Sequence, residues 1–440
     1  MKRWLRDASF RGLLRNSGYM AAARIISGLL ALGALSFTTH GLGATAFGLL
    51  ILIHSYALAA SGLVKFQSWQ VVIRYGAPAL RSDDLRQLRH AVSFALGLDI
   101  ASGLAGMVVA MAVLPLVAPW FHIEREHLPY ALLYCLILPT MAAATPTGVL
   151  RLLDRFDLIS LQTLVNPALR LLLAGIAWAL DAPFLAYLLI WFVTDLAGDL
   201  VLWGLAFREL RRRDIRGLRP GLARHARHLA GAWRFAFTTN LTTALSAAWG
   251  PVANLLVGAL LTPAAAGQYR VAAGLVEAAN KPADMLAKAF YPEVMRMDLD
   301  SRRPWKLLLR GAALSGAIGL AFVAAVLIGG ADLLSRLFGT EFAPAFDLLM
   351  MMLVGLMLTM IAFPLGPMLY AVDRPGIPLR ARIVSAGVYL AAIVPLTDWL
   401  GLTGAGLAYV GATVLLVGLM IPPLHGEYRR RIRKGAPRAA

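Results

Sequence analysis

Apolar residues dominate this chain of 440 residues, and they recur in runs of about 20 from one end to the other. A helix of that length can cross about 30 Å of hydrocarbon. The pattern predicts membrane-spanning helices near residues 16–39, 46–73, 88–114, 128–149, 156–179, 183–207, 232–261, 264–291, 306–329, 344–371, 379–399 and 403–423. We therefore expect an all-α polytopic membrane protein with 12 transmembrane helices.

Composition agrees with that interpretation. Hydrophobic residues make up 59% of the chain and charged residues 15%, whereas soluble domains average about 45–50% and about 25%. Cys135 is the only cysteine, which excludes an intrachain disulfide and a site of several thiolates. The basic N-terminus carries no small-residue cleavage site, so the first apolar run is expected to remain as a span.

The net charge of +18 follows the topology instead of indicating a nucleic-acid partner. Basic runs such as "RELRRRDIRGLRPGLARHARH" and "EYRRRIRK" fall in every second polar stretch, and the opposite stretches hold only Arg125 and Arg336. Lys and Arg accumulate on the cytoplasmic side of membrane proteins. Both termini are therefore predicted to be cytoplasmic, with some of the cations meeting anionic lipid headgroups.

The longest basic stretch divides the chain nearly in half. The predicted domains are an N-terminal six-helix bundle (1–207), a basic cytoplasmic linker (208–231), a C-terminal six-helix bundle (232–424) and a basic tail (425–440). Gly48 and Gly267 lie in similar stretches, "ATAFGLLIL" and "AAAGQYRVA", at equivalent places of the two halves. This spacing favours two parallel bundles related by a pseudo-two-fold axis along the membrane normal, with a central cleft.

The eighth predicted span carries five charges: Arg270, Glu277, Lys281, Asp284 and Lys288. At 100° per residue they fall within an arc of about 60° on one helix face. Two interpretations stay open. The stripe either neutralises itself through i,i+4 pairs or lines a water-filled path, because charges within a membrane usually face a cavity. The last lysine could also reach the cytoplasmic surface.

Other spans carry isolated charges. Arg24 and Lys65 are predicted at matching depth on the first two spans, where they suggest an anion site unless Lys65 pairs with Asp99.

Arg170 needs an anionic ligand or a partner, for which Asp195 and Asp199 are the alternatives. The carboxylates could instead balance charge or carry H⁺ or Na⁺. Pro251 and Pro282 are candidate hinges, although helix-interior prolines also produce ordinary kinks.

The sequence contains no phosphate-binding loop, no nucleophile elbow and no HExxH pattern, and its histidines lack metal-ligand spacing. We therefore predict that the chain is not an enzyme, holds no metal and binds no cofactor, apart from H⁺ or Na⁺ as a coupling ion. A membrane polymerase or ligase of glycans is disfavoured because such enzymes carry a large outer loop, and none is present.

Two motifs carry a family resemblance. "GLGATAFGLL" (Gly41 to Leu50) resembles the turn after the first span of the multidrug/oligosaccharidyl-lipid/polysaccharide exporter superfamily, and "AKAFYPEVMRM" (Ala287 to Met297) resembles the end of its eighth span. The chain is similar in particular to Wzx-type polysaccharide flippases.

This resemblance implies a MATE-like V-shaped fold in the bacterial inner membrane, with a cationic lumen. By alternating access it would move undecaprenyl-diphosphate-linked oligosaccharide for O-antigen, capsule or exopolysaccharide synthesis, alongside polysaccharide polymerase machinery. Arg24, Lys65, Arg170, Arg270, Lys281 and Lys288 are the expected substrate contacts. The alternative is a MATE-type drug/cation antiporter, which would need an acidic pocket in the first half, and the first two spans contain no Asp or Glu.

Overall fold

The computed structural model describes residues 8–237 and 249–434, and within these ranges every regular element is a helix. The side chains of residues 8–21, 249, 288, 292 and 432–434 lie outside the description. Contacts divide the chain into two compact units, Met1–Ala259 and Leu260–Ala440. The domain division at residues 208–231 stays a prediction.

The helices of the first unit are α1 (Ala8–Val64), α2 (Ser68–Arg81), α3 (Leu85–Val117), α4 (Leu128–Cys135), α5 (Leu138–Met141), α6 (Thr145–Leu152), α7 (Phe156–Ala179), α8 (Phe184–Arg212), α9 (Ala223–Ala226) and α10, described over Trp249–Leu260. Those of the second unit are α11 (Pro263–Val294), α12 (Arg303–Phe338), α13 (Ala345–Ala362), α14 (Leu365–Ala371), α15 (Gly376–Leu400) and α16 (Leu402–Lys434).

Nine helical segments of the described residues are long and apolar enough to cross a membrane. One of them, Ala22–Val64, contains the first two predicted spans, joined at Gly43. The φ of Gly43 is 70°, a conformation that glycine adopts without steric cost. The middle of the seventh predicted span lies outside the described residues. The eighth, α11, is absent from the nine apolar segments because its charges make it too polar.

The second predicted span, 46–73, is wrong at its C-terminal end. The helix ends at Val64, and α2 begins as a separate amphipathic helix at Ser68. Two side chains fix the intervening turn: Lys65 Nζ donates to the carbonyl of Met141 at 2.9 Å, and the indole of Trp69 donates to Gln67 at 2.7 Å. Hydropathy could not reveal this break, because it depends on contacts distant in sequence.

The fourth predicted span, 128–149, is a series of three short helices, α4 to α6. Each has a proline within its first two residues. Proline is tolerated there because the first N–H groups of a helix have no intrahelical partner. The interrupted segment leaves the backbone N–H groups at the start of α6 available to a side chain.

The basic stretch 208–231 packs against the first unit. A Cβ added to Gly97 of α3 would lie 2.9 Å from the backbone nitrogen of Gly221, so the two backbones are in close contact. The hydroxyl of Tyr75 donates to the carbonyl of Ala230 at 2.8 Å. Ile215 and neighbouring apolar residues of this stretch are buried in a core formed with α2, α3 and α6. The predicted linker is therefore a docked part of this unit.

The second unit has a core of its own, where several of its helices begin or end. Phe290 of α11, Trp305 of α12, Met368 and Leu369 of α14 and Leu424 of α16 are all buried in it. Dense packing of this kind fixes the C-terminal end of α11, the helix that carries the predicted charged stripe.

Candidate functional site

A buried polar network surrounds Asp195 of α8. Its carboxylate accepts hydrogen bonds from the hydroxyl of Tyr134 at 2.9 Å, from the amide of Asn166 and from the guanidinium of Arg170 at 2.6 Å. His54 Nδ1 lies 2.9 Å from the Tyr134 hydroxyl and 3.6 Å from Asp195 Oδ2. Four membrane segments (α1, α4, α7 and α8) thus meet at one carboxylate, which we call the Asp195 network.

Aromatic and hydroxyl groups hold the arginine of this network in place. The Arg170 guanidinium lies over the ring of Trp191 at 4.2 Å from its centroid, and its Nε donates to Thr194 at 3.1 Å. The side chains of Arg170 and Asp195 are only 14% and 12% exposed. Of the two partners that the sequence left open for Arg170, the structure selects Asp195. A pair this well satisfied is preorganised and has little capacity left for an external anion.

A second group, the Lys65 cluster, forms where α1 ends. Lys65 Nζ donates to the carbonyl of Met141 and lies within electrostatic reach of Asp99 and Asp199. Asp99 is 1% exposed, and its Oδ2 accepts the N–H groups of Ala144 and Thr145 at the start of α6, at 2.9 and 2.8 Å. Of the alternatives left open for Lys65, a position near Asp99 is the one found, because the fold brings carboxylates that are distant in sequence within its electrostatic reach.

Two carboxylate oxygens of this cluster are unsatisfied. Asp99 Oδ1 and Asp199 Oδ2 are both buried and have no hydrogen-bond partner among the described residues. The two polar groups of the first unit together contain three carboxylates (Asp99, Asp195 and Asp199) against two permanent cations. The predicted cationic character of the lumen is therefore not provided by these buried side chains.

Accessible positive charge lies elsewhere in the first unit. Arg24 is exposed on α1 and within electrostatic reach of Arg151 at the end of α6. The Arg151 guanidinium lies over the ring of Trp69, 4.5 Å from its centroid. Neither arginine forms a salt bridge with another side chain in the described ranges. The cation near Arg24 is thus Arg151, which the sequence did not indicate, and Lys65 belongs to a separate group.

The charges of α11 share an open face. The Glu277 side chain is 62% exposed and that of Lys281 34%, and their atoms form the predicted i,i+4 salt bridge at 3.0 Å. Asp284 is exposed as well, whereas the apolar side of α11, with Val271 and Phe290, is buried. The predicted two-sided helix is confirmed for these residues. An open charged face on a membrane helix requires water or a polar ligand.

Three predicted residues of this region have a limited description. Arg270 is half-buried on the same helix and interacts with neighbours. The side chain of Lys288 lies outside the described residues. The helix α11 is continuous through Pro282, and Pro251 lies close to the first described residue of α10. The roles of both prolines as hinges stay predictions.

Sequence reasoning missed His54, Tyr134 and Asn166 because single polar residues in apolar runs usually form interhelical hydrogen bonds. It also missed a group on the stretch after α3, where Glu124, Glu126 and His127 bring potential metal-ligand atoms within 4.8 Å of one another. Both glutamates are exposed, and exposed acidic groups are common without a bound ion.

Sequence comparison with known proteins places this chain in a family. The model of a family described as "Polysaccharide biosynthesis protein" matches residues 13–297. The "Inner membrane protein YghQ" of Escherichia coli (strain K12) is 41% identical over 350 residues, which cover 79% of this chain and 99% of YghQ.

Solved structures share the fold at low sequence identity. An inward-facing multidrug resistance MATE family transporter of the MOP superfamily superimposes with a TM-score of 0.72, at 13% identity, over 96% of this chain and 100% of that chain. The lipid II flippase MurJ gives a TM-score of 0.69 at 12% identity, over 94% and 90% of the two chains. The predicted MATE-like fold class is thereby confirmed.

The proteins in these structures are named as a transporter and a flippase. The family model covers more than half of the chain, and YghQ matches over nearly its whole length. This chain therefore belongs to the polysaccharide biosynthesis protein family, as a multi-pass membrane protein with the fold of the MOP superfamily.

Proposed function

We propose that this protein moves a diphosphate-linked lipid oligosaccharide across the bacterial inner membrane for the synthesis of a surface polysaccharide. The observation that carries the proposal is the accessible positive charge on membrane helices, at Arg24 beside Arg151 and at Lys281. A diphosphate carries about two negative charges and is best met by charge-assisted hydrogen bonds from arginine. Membership of the polysaccharide biosynthesis family supports the same substrate class.

Arg24 and Arg151 are the favoured contacts for the diphosphate. Stacking on Trp69 already orients Arg151, so its side chain loses less conformational entropy when a ligand binds. Arg24 supplies a second cation without a competing salt bridge among the described residues. The lipid tail can stay in the bilayer, so only the polar head group must be accommodated by side chains.

Asp199 is the favoured coupling carboxylate. Asp99 and Asp199 each have an unsatisfied oxygen and Lys65 as a cationic neighbour, but Asp99 already accepts two backbone N–H groups through its other oxygen, so Asp199 is the freer of the two to gain and lose H⁺ or Na⁺. Asp195 is less suited, because four groups already engage it. Polysaccharide polymerase machinery is a further expected partner on chemical grounds, because the flipped unit must be consumed by a glycan-transferring enzyme.

A second candidate function is a drug/cation antiporter. The excess of carboxylates over permanent cations in the buried groups of the first unit favours it, since an organic cation would bind Asp99 or Asp199. The family match favours the flippase, whose substrate is anionic.

The test is removal of the gene from the source bacterium, followed by mass spectrometry of membrane undecaprenyl-diphosphate saccharides. We expect several-fold accumulation with the saccharide on the cytoplasmic face, reversed by the wild-type gene. Arg24→Ala, Arg151→Ala and Lys281→Ala should each fail to reverse it at normal protein levels. Arg213→Ala, at an exposed position just after α8, is the matched control and should reverse it fully.

Unchanged saccharide levels after deletion would refute the flippase. If they are accompanied by increased sensitivity to lipophilic cations, the antiporter takes its place.

A further inference from the structure

Two turns, one in each unit, share a short sequence pattern. Leu150 to Arg155 precedes α7, and Leu369 to Arg374 precedes α15, with Asp-Arg at the end of each segment. The aspartates, Asp154 and Asp373, have φ angles of 59° and 62°. Asp181 and Asp214 end other helices with a left-handed φ as well, so the arginine that follows the aspartate is what distinguishes these two turns.

The backbone hydrogen bonds of the two turns are the same. In the first unit, Asp154 N donates to the carbonyl of Arg151 at 3.1 Å and Arg155 N to that of Leu150 at 2.8 Å. In the second, Asp373 N donates to the carbonyl of Tyr370 at 3.1 Å and Arg374 N to that of Leu369 at 2.9 Å.

A buried carboxylate receives the arginine of each turn. Arg155 lies 2.6 Å from Glu209 at the end of α8, and Arg374 lies 2.9 Å from Glu427 near the end of α16. These glutamates are 6% and 5% exposed. A carboxylate this buried is costly unless it is paired, so each glutamate holds its arginine strongly.

A second arginine completes both groups in the same way. Glu209 also pairs with Arg212 at 3.1 Å and Glu427 with Arg430 at 2.8 Å, each three residues further along the same helix. The first carboxylate therefore joins α8 to the turn before α7, and the second joins α16 to the turn before α15. We call the two groups the Glu209 clamp and the Glu427 clamp.

We propose that Glu209 is a positioning residue of the transport cycle, which fixes the turn that carries Arg151, and that Glu427 is its structural counterpart in the second unit. Arg151 belongs to the first turn because its carbonyl accepts the N–H of Asp154. The inference deepens the proposed function and rests on it, because the Glu209 clamp acts through the arginine assigned to the diphosphate.

Hydrogen–deuterium exchange of the purified full-length protein tests the clamps without any substrate. Glu209→Gln should raise exchange in residues 150–156 by about tenfold or more and leave 369–375 unchanged, because a charged hydrogen bond is lost only in the first unit. Glu427→Gln should give the reverse pattern. Glu293→Gln, whose side chain is 57% exposed, is the matched control and should change neither segment.

Saccharide accumulation in the deletion strain then tests the positioning role. Glu209→Gln should restore flipping less than wild type, and adding it to Arg151→Ala should lower flipping no further than Arg151→Ala alone. Arg155→Lys, which keeps the cation, should restore more flipping than Arg155→Gln. Altered exchange with full flipping in Glu209→Gln would reduce the clamp to a structural role and overturn the proposal.

The two proposals can fail separately. If hydrogen–deuterium exchange is unchanged in both Glu209→Gln and Glu427→Gln, the proposed clamps are refuted even if flipping is demonstrated. No saccharide accumulation in the deletion strain removes the flippase, and with it the transport role of the clamps, even if exchange responds as expected.

Discussion

The Asp195 network and the charged face of α11 both lie in helices predicted to cross the membrane, yet their charges have opposite surroundings. Asp195 and Arg170 are 12% and 14% exposed and bonded to each other. Glu277 and Asp284 are exposed, and among the described side chains Glu277 pairs with a lysine one turn away. The Asp195 network is satisfied within the fold, and the face of α11 is left open.

The difference separates two uses of charge within a membrane. A buried pair holds four segments in register, because removing either partner strands the other in a medium of low dielectric. An open charged face adds little to stability, since exposed ion pairs are weak, and it remains available to water and ligand. We therefore expect stability to depend on the first group and transport to depend on the second.

The largest expected effect on stability is from Asp195→Ala. It leaves Arg170 buried without its carboxylate, and we expect the free energy of unfolding to fall by about 3–5 kcal/mol. The measurement is thermal unfolding of the purified protein in detergent. Asp284→Ala on α11 is the matched control and should leave the midpoint unchanged. Equal shifts in the two variants would abolish the distinction between the groups.

The second prediction asks whether Asp195→Ala destabilises the protein because it leaves the Arg170 charge unpaired. In the double variant Arg170→Leu/Asp195→Leu no charge is stranded, so we expect at least about half of the loss in Asp195→Ala to be recovered. Thermal unfolding in the same detergent provides the comparison. A double variant as unstable as the single one would mean that Tyr134, Asn166 and His54 depend on Asp195 more than Arg170 does.

A smaller effect is expected from Lys65→Met. The variant loses the hydrogen bond to the Met141 carbonyl and the cation beside Asp99 and Asp199, for which we expect about 2 kcal/mol of destabilisation. Lys281→Met on α11 loses only an exposed pair and serves as the control. If both lysine variants unfold at the wild-type temperature, the Lys65 cluster does not stabilise the fold.

The smallest effect on stability is expected from Lys281→Gln, which should nonetheless lower flipping about tenfold, as loss of one charged contact does. The readout is saccharide accumulation in the deletion strain, with protein level checked in the same membranes. Glu277→Gln, which removes the partner and keeps the cation, should retain more flipping. Wild-type flipping in Lys281→Gln would show that the charges of α11 only neutralise one another and do not contact the substrate.

Hydropathy and helical periodicity determined much of this protein. Runs of about 20 apolar residues must become membrane helices, because no other structure satisfies the backbone in lipid except a closed barrel. The period of 3.6 placed Glu277, Lys281 and Asp284 on one face of α11, and the structure agrees. These features are local, since they depend on residues within one helix.

Tertiary structure alone decided which charges meet. Lys65 finds Asp99 and Asp199, Arg170 selects Asp195 over Asp199, and Arg24 has Arg151 as its cationic neighbour. Such partners lie on different helices, and the rotation and depth of one helix against another are set by packing, not by either sequence alone.

The break after Val64 and the two clamps also depend on contacts between residues that are distant in sequence. α1 ends before Lys65, whose Nζ donates a hydrogen bond to the carbonyl of Met141 in another segment. Glu209 pairs with Arg155, which lies 54 residues earlier in the chain. The sequence therefore determined that most of the chain forms membrane helices and which face of α11 is charged. Only the folded chain decided which charges are satisfied and which remain open to a ligand, because satisfaction depends on distances between helices.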